Sequence, residues 1–308
     1  MAAATTTTVE DLPGDVLACA LRRLDGPSLA AASCATASLR ALADDPDTWR
    51  ALCLSRWPSL AHHHLLSPRR LFADAFPFPL LDADDDQQRP LPTRLVSAVD
   101  VYHRSEAIAS RVVETSTSSS WFLTSPFRVD AVEPKSPAPA PAPVSAAELE
   151  LSWIVVDPAT GRAVNVSSRR PVATERHWYT GETLVRFAVV LAGCKLEATV
   201  SLSEEYYPGY GHGQGQKLTE VSLAVDDADG AAVSGEGCLR LLAAAMAGPR
   251  KGGGENQEIE AKRRYDEFVR RKRGRKESKA RREVLVDLCC SAVSAVAVLS
   301  FLATVVLR

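Results

Sequence analysis

Histidine and cysteine are the residue types in this chain best suited to bind a metal ion or to act as nucleophiles. His62, His63 and His64 are consecutive, and a histidine cluster can bind a metal. No Asp, Glu or Cys lies near them at a spacing that would complete a coordination shell, so we interpret them as solvated surface residues. The seven cysteines are scattered and include no C-x-x-C pair, a pattern typical of free thiols in a reducing compartment. We therefore predict no metal site.

The sequence also lacks the common motifs of catalysis. The chain has no P-loop, no glycine-rich dinucleotide fingerprint, no nucleophile elbow and no H-E-x-x-H zinc motif. The Gly-rich stretch 204–216 lacks the Lys-Ser/Thr pair that phosphate-binding loops use. We predict that the chain is not an enzyme and that it needs no cofactor.

Several aromatic residues are placed where they could bind another protein. Residues 204–216 (EEYYPGYGHGQGQ) lie between two predicted strands, either as a loop that presents aromatic contacts or as a plain surface loop. Trp178 and Tyr179 stand at the start of a strand and fit a recognition pocket or, alternatively, core and edge packing. The candidate substrate-binding residues are Trp178, Tyr179, Tyr206, Tyr207 and Tyr210.

The elements that must position such a surface begin with four short helices over 11–58. Apolar residues in 16–24 follow helical spacing, and Gly26 suits a left-handed end of that helix. Ser28 is placed to cap the second helix. Asp45-Pro46 predicts the start of the fourth, with Asp as the N-cap and Pro in the first turn.

The order and spacing of these residues closely resemble the F-box. The matching run opens with Leu12-Pro13-x-Asp15-Val16-Leu17 and closes with Trp49-x-x-Leu52-x-x-x-x-Trp57-Pro58. The resemblance implies docking on a Skp-type adaptor and, through it, on a cullin-based ubiquitin ligase. The residues that it assigns to adaptor binding are Leu12, Pro13, Val16, Leu17, Leu21, Leu24, Leu29 and Trp49. A generic helical bundle is the alternative, and the Ala-rich 30–32 departs from the larger or basic residues of many F-boxes.

The middle of the chain predicts an antiparallel β-rich domain over 94–248. Strands at 149–156 and 163–166 flank a turn that contains Pro and Gly, and 183–191 and 195–202 form a second hairpin. Residues 94–128 begin with helical spacing and become extended near Trp121. Five or more strands indicate a sandwich-like module that selects a protein substrate.

Charge separates this body from the C-terminal tail. Residues 1–249 hold 21 Lys and Arg against 30 Asp and Glu, whereas 250–283 hold 14 against 7. The acidic body argues against nucleic acid as a partner. Glu/Lys and Glu/Arg pairs four residues apart predict a long basic helix, whose clusters also resemble a nuclear import signal.

Residues 288–307 carry no charge, and as a helix they would span about 30 Å, the thickness of a bilayer core. We predict a membrane span there, with a buried or amphipathic helix as the alternative. The basic residues before it place the body on the cytosolic face of the endoplasmic reticulum or nuclear envelope by a tail anchor. Localisation in the nucleus is the other interpretation.

The predicted fold class is α+β, with an N-terminal F-box bundle, an antiparallel sandwich-like domain and a long C-terminal helix that includes the membrane span. The predicted parts are a disordered 1–8, the F-box 9–60, a linker 61–93, the β-rich domain 94–248 with an exposed Pro/Ala insertion at 134–143, a basic helix 249–283 and a hydrophobic segment 284–308. The leading hypothesis is a non-catalytic substrate receptor that also resembles a group of plant F-box proteins. A membrane-tethered scaffold or lectin-like module is the alternative.

Overall fold

Short helices, two antiparallel sheets and one long helix make up the chain. The computed structural model describes residues 12–63, 66–79, 81, 89–133, 144–206, 214–250 and 255–306. The helices are α1 (Gly14–Leu21), α2 (Gly26–Ala32), α3 (Ala37–Ala43), α4 (Pro46–Arg56), α5 (Pro68–Ala75), α6 (Ser120–Thr124), α7 (Gly235–Ala247) and α8 (Glu255–Val306). The strands are β1 (Arg94–His103), β2 (Glu106–Ser116), β3 (Arg128–Val132), β4 (Leu149–Asp157), β5 (Arg162–Asn165), β6 (Ala173–Arg176), β7 (Thr183–Leu191), β8 (Cys194–Tyr206) and β9 (Gln214–Asp226). The predicted α+β class is confirmed; the segments predicted at 1–8 and 134–143 lie outside the described residues.

The strands form two sheets, in the orders β2-β1-β4-β5 and β3-β9-β8-β7-β6, in which every pairing is antiparallel. Apolar side chains of both sheets, among them Trp153 and Phe187, meet in one core that α7 completes. Both predicted hairpins are present. In the first, the Asp157 carboxylate accepts from the Ala159 amide and the Thr160 hydroxyl, which fixes the turn.

Strand β1 is buried on both faces, and this explains a wrong prediction. Leu95 and Val99 face the core between the sheets, whereas Ala98 belongs to the apolar cluster of the helical bundle. A strand covered on both sides loses the alternation of polar and apolar residues that marks a half-exposed strand. The helical spacing over 94–128 was therefore accidental: β1 and β2 occupy most of the range, and the helix α6 stands where extended chain was predicted.

Helix α5 joins the helical bundle to the sandwich. It lies within 61–93, predicted as a linker, and that prediction is wrong for this part because Leu71 and Phe72 are buried. Phe72 contacts the rings of Trp49 and Trp57 at centroid distances of 5.6 and 5.7 Å. The bundle, α5 and the outer face of the first sheet therefore share one apolar cluster.

Helix α8 begins against the second sheet and then leaves it. Tyr265 packs against Val172 and Ala188, and Arg275 pairs with Asp229 at 2.9 Å. From 273 to 294 every residue is exposed. The basic helix and the hydrophobic segment, predicted as separate parts, form one helix over their described residues.

The predicted membrane span at 288–307 is not supported. Along the described residues, no helix is both long and apolar enough to cross a membrane. Charged residues recur in α8 as far as Asp287. Residue 307 and the side chains of 295, 298–302 and 304–306 lie outside the described part of the chain.

Candidate adaptor and substrate surfaces

Each helix of the N-terminal bundle except α1 begins at a side chain that caps it. Asp45 caps α4, as predicted, and accepts hydrogen bonds from the Asp47 amide and the Thr48 hydroxyl. The bond from Thr48, 2.6 Å long, lowers the pKa of the Asp45 carboxyl. Thr36 caps α3 in the same way. Local hydrogen bonds thus fix where each helix begins and hence which residues face outward.

Gly26 and Ser28 have roles other than those predicted. Gly26 is the first residue of α2 and does not end α1 in a left-handed conformation. A Cβ atom on Gly26 would lie 2.2 Å from the Phe72 ring, so only glycine allows α5 to approach this closely. The cap of α2 is Asp25, whose carboxylate accepts from the Ser28 amide at 2.8 Å. Ser28 is the donor and not the cap.

The structure divides the predicted adaptor-binding residues into an exposed and a buried group. Leu12 and Val16 are 46% and 49% exposed, and Pro13 between them is also exposed. Leu24 is half-buried, whereas the other four belong to the interior: Leu17, Leu21, Leu29 and Trp49. The Trp49 indole donates to the Ala43 carbonyl at 2.8 Å, which is a structural role. The residues available to a partner are therefore Leu12, Pro13 and Val16.

Two further residues extend this apolar strip. Cys19 and Ala20 follow Val16 by three and four positions in α1 and are exposed. Residues at this spacing lie on one face of a helix. Their spacing of three and four residues from Val16 could have identified both residues in the sequence. Both side chains are small, so they did not stand out among the larger apolar residues. We call Leu12, Pro13, Val16, Cys19 and Ala20 the α1 strip.

The predicted substrate residues Trp178 and Tyr179 lie in the turn between β6 and β7. They are 90% and 78% exposed, which excludes the alternative of core packing, and their rings contact each other with centroids 5.6 Å apart. Hydrogen bonds close the turn: the His177 amide donates to the Glu182 carbonyl at 2.7 Å, and the Thr180 amide donates to the His177 ring at 3.1 Å. Two large rings are thus held out into solvent on an ordered turn.

Strand pairing brings this turn to the same end of the sheet as the end of β8 and the start of β9, which include 204–206 and 214–216 of the segment predicted as an aromatic loop. Thr183, at the start of β7, pairs with Leu202 of β8, which continues to Tyr206. Arg176 pairs with Glu204 at 2.9 Å across this end. Of the predicted tyrosines, Tyr206 ends β8, whereas Tyr207 and Tyr210 lie outside the described residues. We call residues 177–182 with the end of β8 the aromatic end.

The histidines and cysteines form neither a metal site nor an activated nucleophile among the described residues that follow. In the part of the chain that the structure describes, no group of three His, Cys, Asp or Glu side chains could hold a metal ion. His62 and His63 are described, and His64 is not. Burial raises the pKa of the Cys53 thiol to about 12 and that of Cys238 well above its usual value. Neither of these thiols is suited to act as a nucleophile.

An apolar strip and an aromatic end on a rigid scaffold are typical of a protein that binds other proteins. Comparison with known proteins is more specific. The chain is 36% identical over 279 residues to "Probable F-box protein At2g36090" of Arabidopsis thaliana, covering 87% of this chain and 84% of the relative. It is 37% identical over 292 residues to "F-box protein At3g44326" of the same plant, covering 85% and 80%. It is 34% identical to "F-box protein At2g27310", covering 88% of each.

These alignments extend over most of every sequence compared, so they include the sandwich as well as the helical bundle. No family model and no solved structure matches the chain. The chain belongs to the plant F-box proteins, which confirms the resemblance seen at 11–58.

Proposed function

We propose that the chain is the non-catalytic substrate receptor of a Skp-cullin-F-box ubiquitin ligase. The observation that supports this most directly is the α1 strip, because Leu12 and Val16 are the large apolar side chains that stay exposed among the described residues of the bundle, whose other large apolar residues are buried or half-buried. Exposed apolar side chains on a small ordered bundle are stabilised when a partner covers them. The proposed partner is a Skp-type adaptor, with a cullin joined through it.

The mechanism that we propose is proximity. The Trp57 indole donates to Ser152 of β4 at 3.0 Å, and the Ser59 hydroxyl donates to Asp100 of β1 at 2.7 Å, so polar bonds as well as the shared apolar cluster fix the bundle on the sandwich. A substrate at the aromatic end is then held in a fixed orientation to the adaptor. Holding a substrate lysine near the charged ubiquitin-conjugating enzyme makes transfer effectively unimolecular.

Co-purification with a purified Skp-type adaptor tests the first part of this proposal. The full chain is expected to elute with the adaptor as one complex in size-exclusion chromatography. Separate elution at micromolar concentrations of both proteins would contradict it.

The aromatic end is the proposed substrate-docking surface. Large, rigid rings bury much area at small cost in conformational entropy, and they dominate protein interfaces. Replacing both Trp178 and Tyr179 by Ala is expected to remove most bound substrate, at least about 10-fold. The melting temperature should change little because both side chains are exposed.

Substrate capture followed by mass spectrometry measures this effect. Trp121→Ala is the matched control, because Trp121 is 76% exposed in α6, next to β3, at the opposite end of the second sheet. Loss of the same proteins from the control variant, or none from the double variant, would count against the assigned surface.

We also propose that basic residues of α8 act as a nuclear import signal. Arg270, Arg271 and Arg273 are exposed, so an acidic receptor surface can reach them. Replacing the three by Gln is expected to shift a fluorescently tagged chain out of the nucleus. Replacing them by Lys keeps the charge and should leave its distribution unchanged; nuclear accumulation of the Gln variant would refute the proposal.

A further inference from the structure

A polar cavity of about 330 Å³ lies where the bundle, the first sheet and α8 meet. Arg56 lines it from the end of α4, Ser152 from β4 and Asn165 from β5. Ser167 and Arg169 line it from the segment after β5, and Glu258 from the first turn of α8. No part of the α1 strip or of the aromatic end contributes to this cavity.

The cavity contains hydrogen-bond donors that lack acceptors. Arg169 donates its Nε to Glu150 at 2.7 Å, but its Nη1 is buried and has no partner among the described residues. Arg56 forms no ion pair with a described carboxylate; its guanidinium lies 5.5 Å from the centroid of the Phe76 ring. A buried donor without an acceptor costs about 1–3 kcal/mol, and more for a charged group. The Arg169 guanidinium also lies 4.2 Å from the centroid of the Tyr102 ring, so what the two arginines lack is a hydrogen-bond acceptor for the Nη1 of Arg169 and for the guanidinium of Arg56.

Ser152, Ser167 and Asn165 supply further donors to the cavity. Ser152 accepts from the Trp57 indole and Ser167 accepts from the Trp153 amide, so the proton of each hydroxyl remains to be donated. The side-chain oxygen of Asn165 accepts from the Ser167 amide, which leaves its NH₂ group. Both serines are more than nine-tenths buried, so bulk water is not their partner.

The two carboxylates of the cavity, in contrast, already accept hydrogen bonds from the protein. Glu150 accepts from Arg169, and the Glu258 carboxylate accepts from the backbone amides of Arg169 and Arg170 at 3.0–3.1 Å. Burial, and then the nearby charge of Arg169, lower the pKa of Arg56, while Tyr102, Glu150 and Glu258 act in the opposite direction and only partly offset them. Three arginines, Arg56, Arg169 and Arg170, line the cavity against two carboxylates, so a ligand that accepts hydrogen bonds and carries negative charge complements it.

We propose that this cavity binds a phosphate group, either as the free ion or as part of a small phosphate ester. Phosphate offers more acceptor oxygens than a carboxylate, and guanidinium groups bind it through pairs of N–H donors. Phe76 and Phe78 form an apolar wall that an ester's organic group can contact. The cavity volume is at the lower end of the range for small-molecule sites, about 300–1,000 Å³. A bound phosphate would join the bundle, the sandwich and α8.

Calorimetric titration of the full chain, at constant ionic strength, tests the proposal with three probes: inorganic phosphate, phenyl phosphate and acetate. Saturable binding of one or both phosphates, at least about 10-fold tighter than acetate, is expected. Tighter binding of phenyl phosphate identifies an ester as the ligand, and equal binding identifies the free ion.

Variants locate the site. Arg56→Gln is expected to weaken phosphate binding at least about 10-fold, and Asn165→Asp to weaken it as much, because it adds a negative charge while still accepting from the Ser167 amide. Arg23→Gln, an exposed arginine of the same bundle, is the control and should bind as the native chain does. The proposal is overturned if neither phosphate probe binds saturably, or if acetate binds as tightly as the phosphates do. It is also overturned if Arg56→Gln and Asn165→Asp both bind phosphate as the native chain does, or if Arg23→Gln loses as much phosphate binding as they do. Adaptor binding is not involved, so failure here leaves that proposal unaffected.

Discussion

Replacing Val16 by Asp is expected to abolish binding to a Skp-type adaptor while the chain stays folded. Val16 is 49% exposed at the centre of the α1 strip, so a carboxylate there is hydrated in the free protein. In a complex the same charge would be buried against apolar atoms without a partner. The dissociation constant should rise at least about 100-fold, or about 3 kcal/mol. Surface plasmon resonance with immobilised adaptor measures the change, and circular dichroism checks the fold.

A substitution at the neighbouring Leu17 is expected to affect stability as well as adaptor binding. Leu17 is 6% exposed, so Leu17→Asp puts a charge inside the bundle and is expected to lower the free energy of unfolding by about 3 kcal/mol or more. Both variants should lose the adaptor, but only Leu17→Asp should lose stability as well. Native-like binding by a folded Val16→Asp would show that the α1 strip is not the contact.

Val16 and Leu17 are adjacent but differ in exposure, and the sequence alone does not predict this difference. The F-box spacing, the Asp45-Pro46 start and the turn from Asp157 to Gly161 could be predicted because each depends on residues close together in the chain. Which apolar residues of α1 remain exposed depends on how α1 packs on α3 and on the shared cluster of the bundle, and no local pattern specifies that packing. Burial of β1 on both faces is a tertiary effect of the same kind, and it misled the prediction for 94–128.

The aromatic end and the polar cavity also differ in how far the sequence predicts them. Trp178 and Tyr179 could be proposed because large aromatic residues stand out in a sequence, but only strand pairing shows that they share an end of the sheet with Glu204. The cavity could not be predicted at all. Arg56 and Arg169 are far apart in the chain, and neither belongs to a motif. What identifies them is a surplus of donors, which requires knowing every hydrogen bond around them.

Arg250 is a second residue whose importance no motif reveals. It follows α7, and its guanidinium donates to five backbone carbonyls: Asp74, Ala163, Ala245, Met246 and Gly248. These carbonyls belong to α5, to β5 and to the C-terminal end of α7, so one side chain connects three elements. The carbonyls at the end of α7 have no partner within the helix, and Arg250 satisfies them.

Arg250→Met is therefore expected to lower the free energy of unfolding by about 3 kcal/mol, because several part-buried carbonyls lose a charged donor while the side chain keeps its length. The shift of the urea midpoint, followed by tryptophan fluorescence, measures it. Arg250→Lys should lose nearly as much stability, since an ammonium group cannot reach five acceptors that a planar guanidinium contacts together.

Arg240→Met is the matched control. Arg240 is an exposed arginine of α7 whose ion pair with Glu236 is a surface contact, and the loss of this pair should cost about 0.5 kcal/mol or less. Equal destabilisation by Arg240→Met and Arg250→Met would mean that the net charge of α7, and not the connection between α5, β5 and α7, is what stabilises this part of the fold.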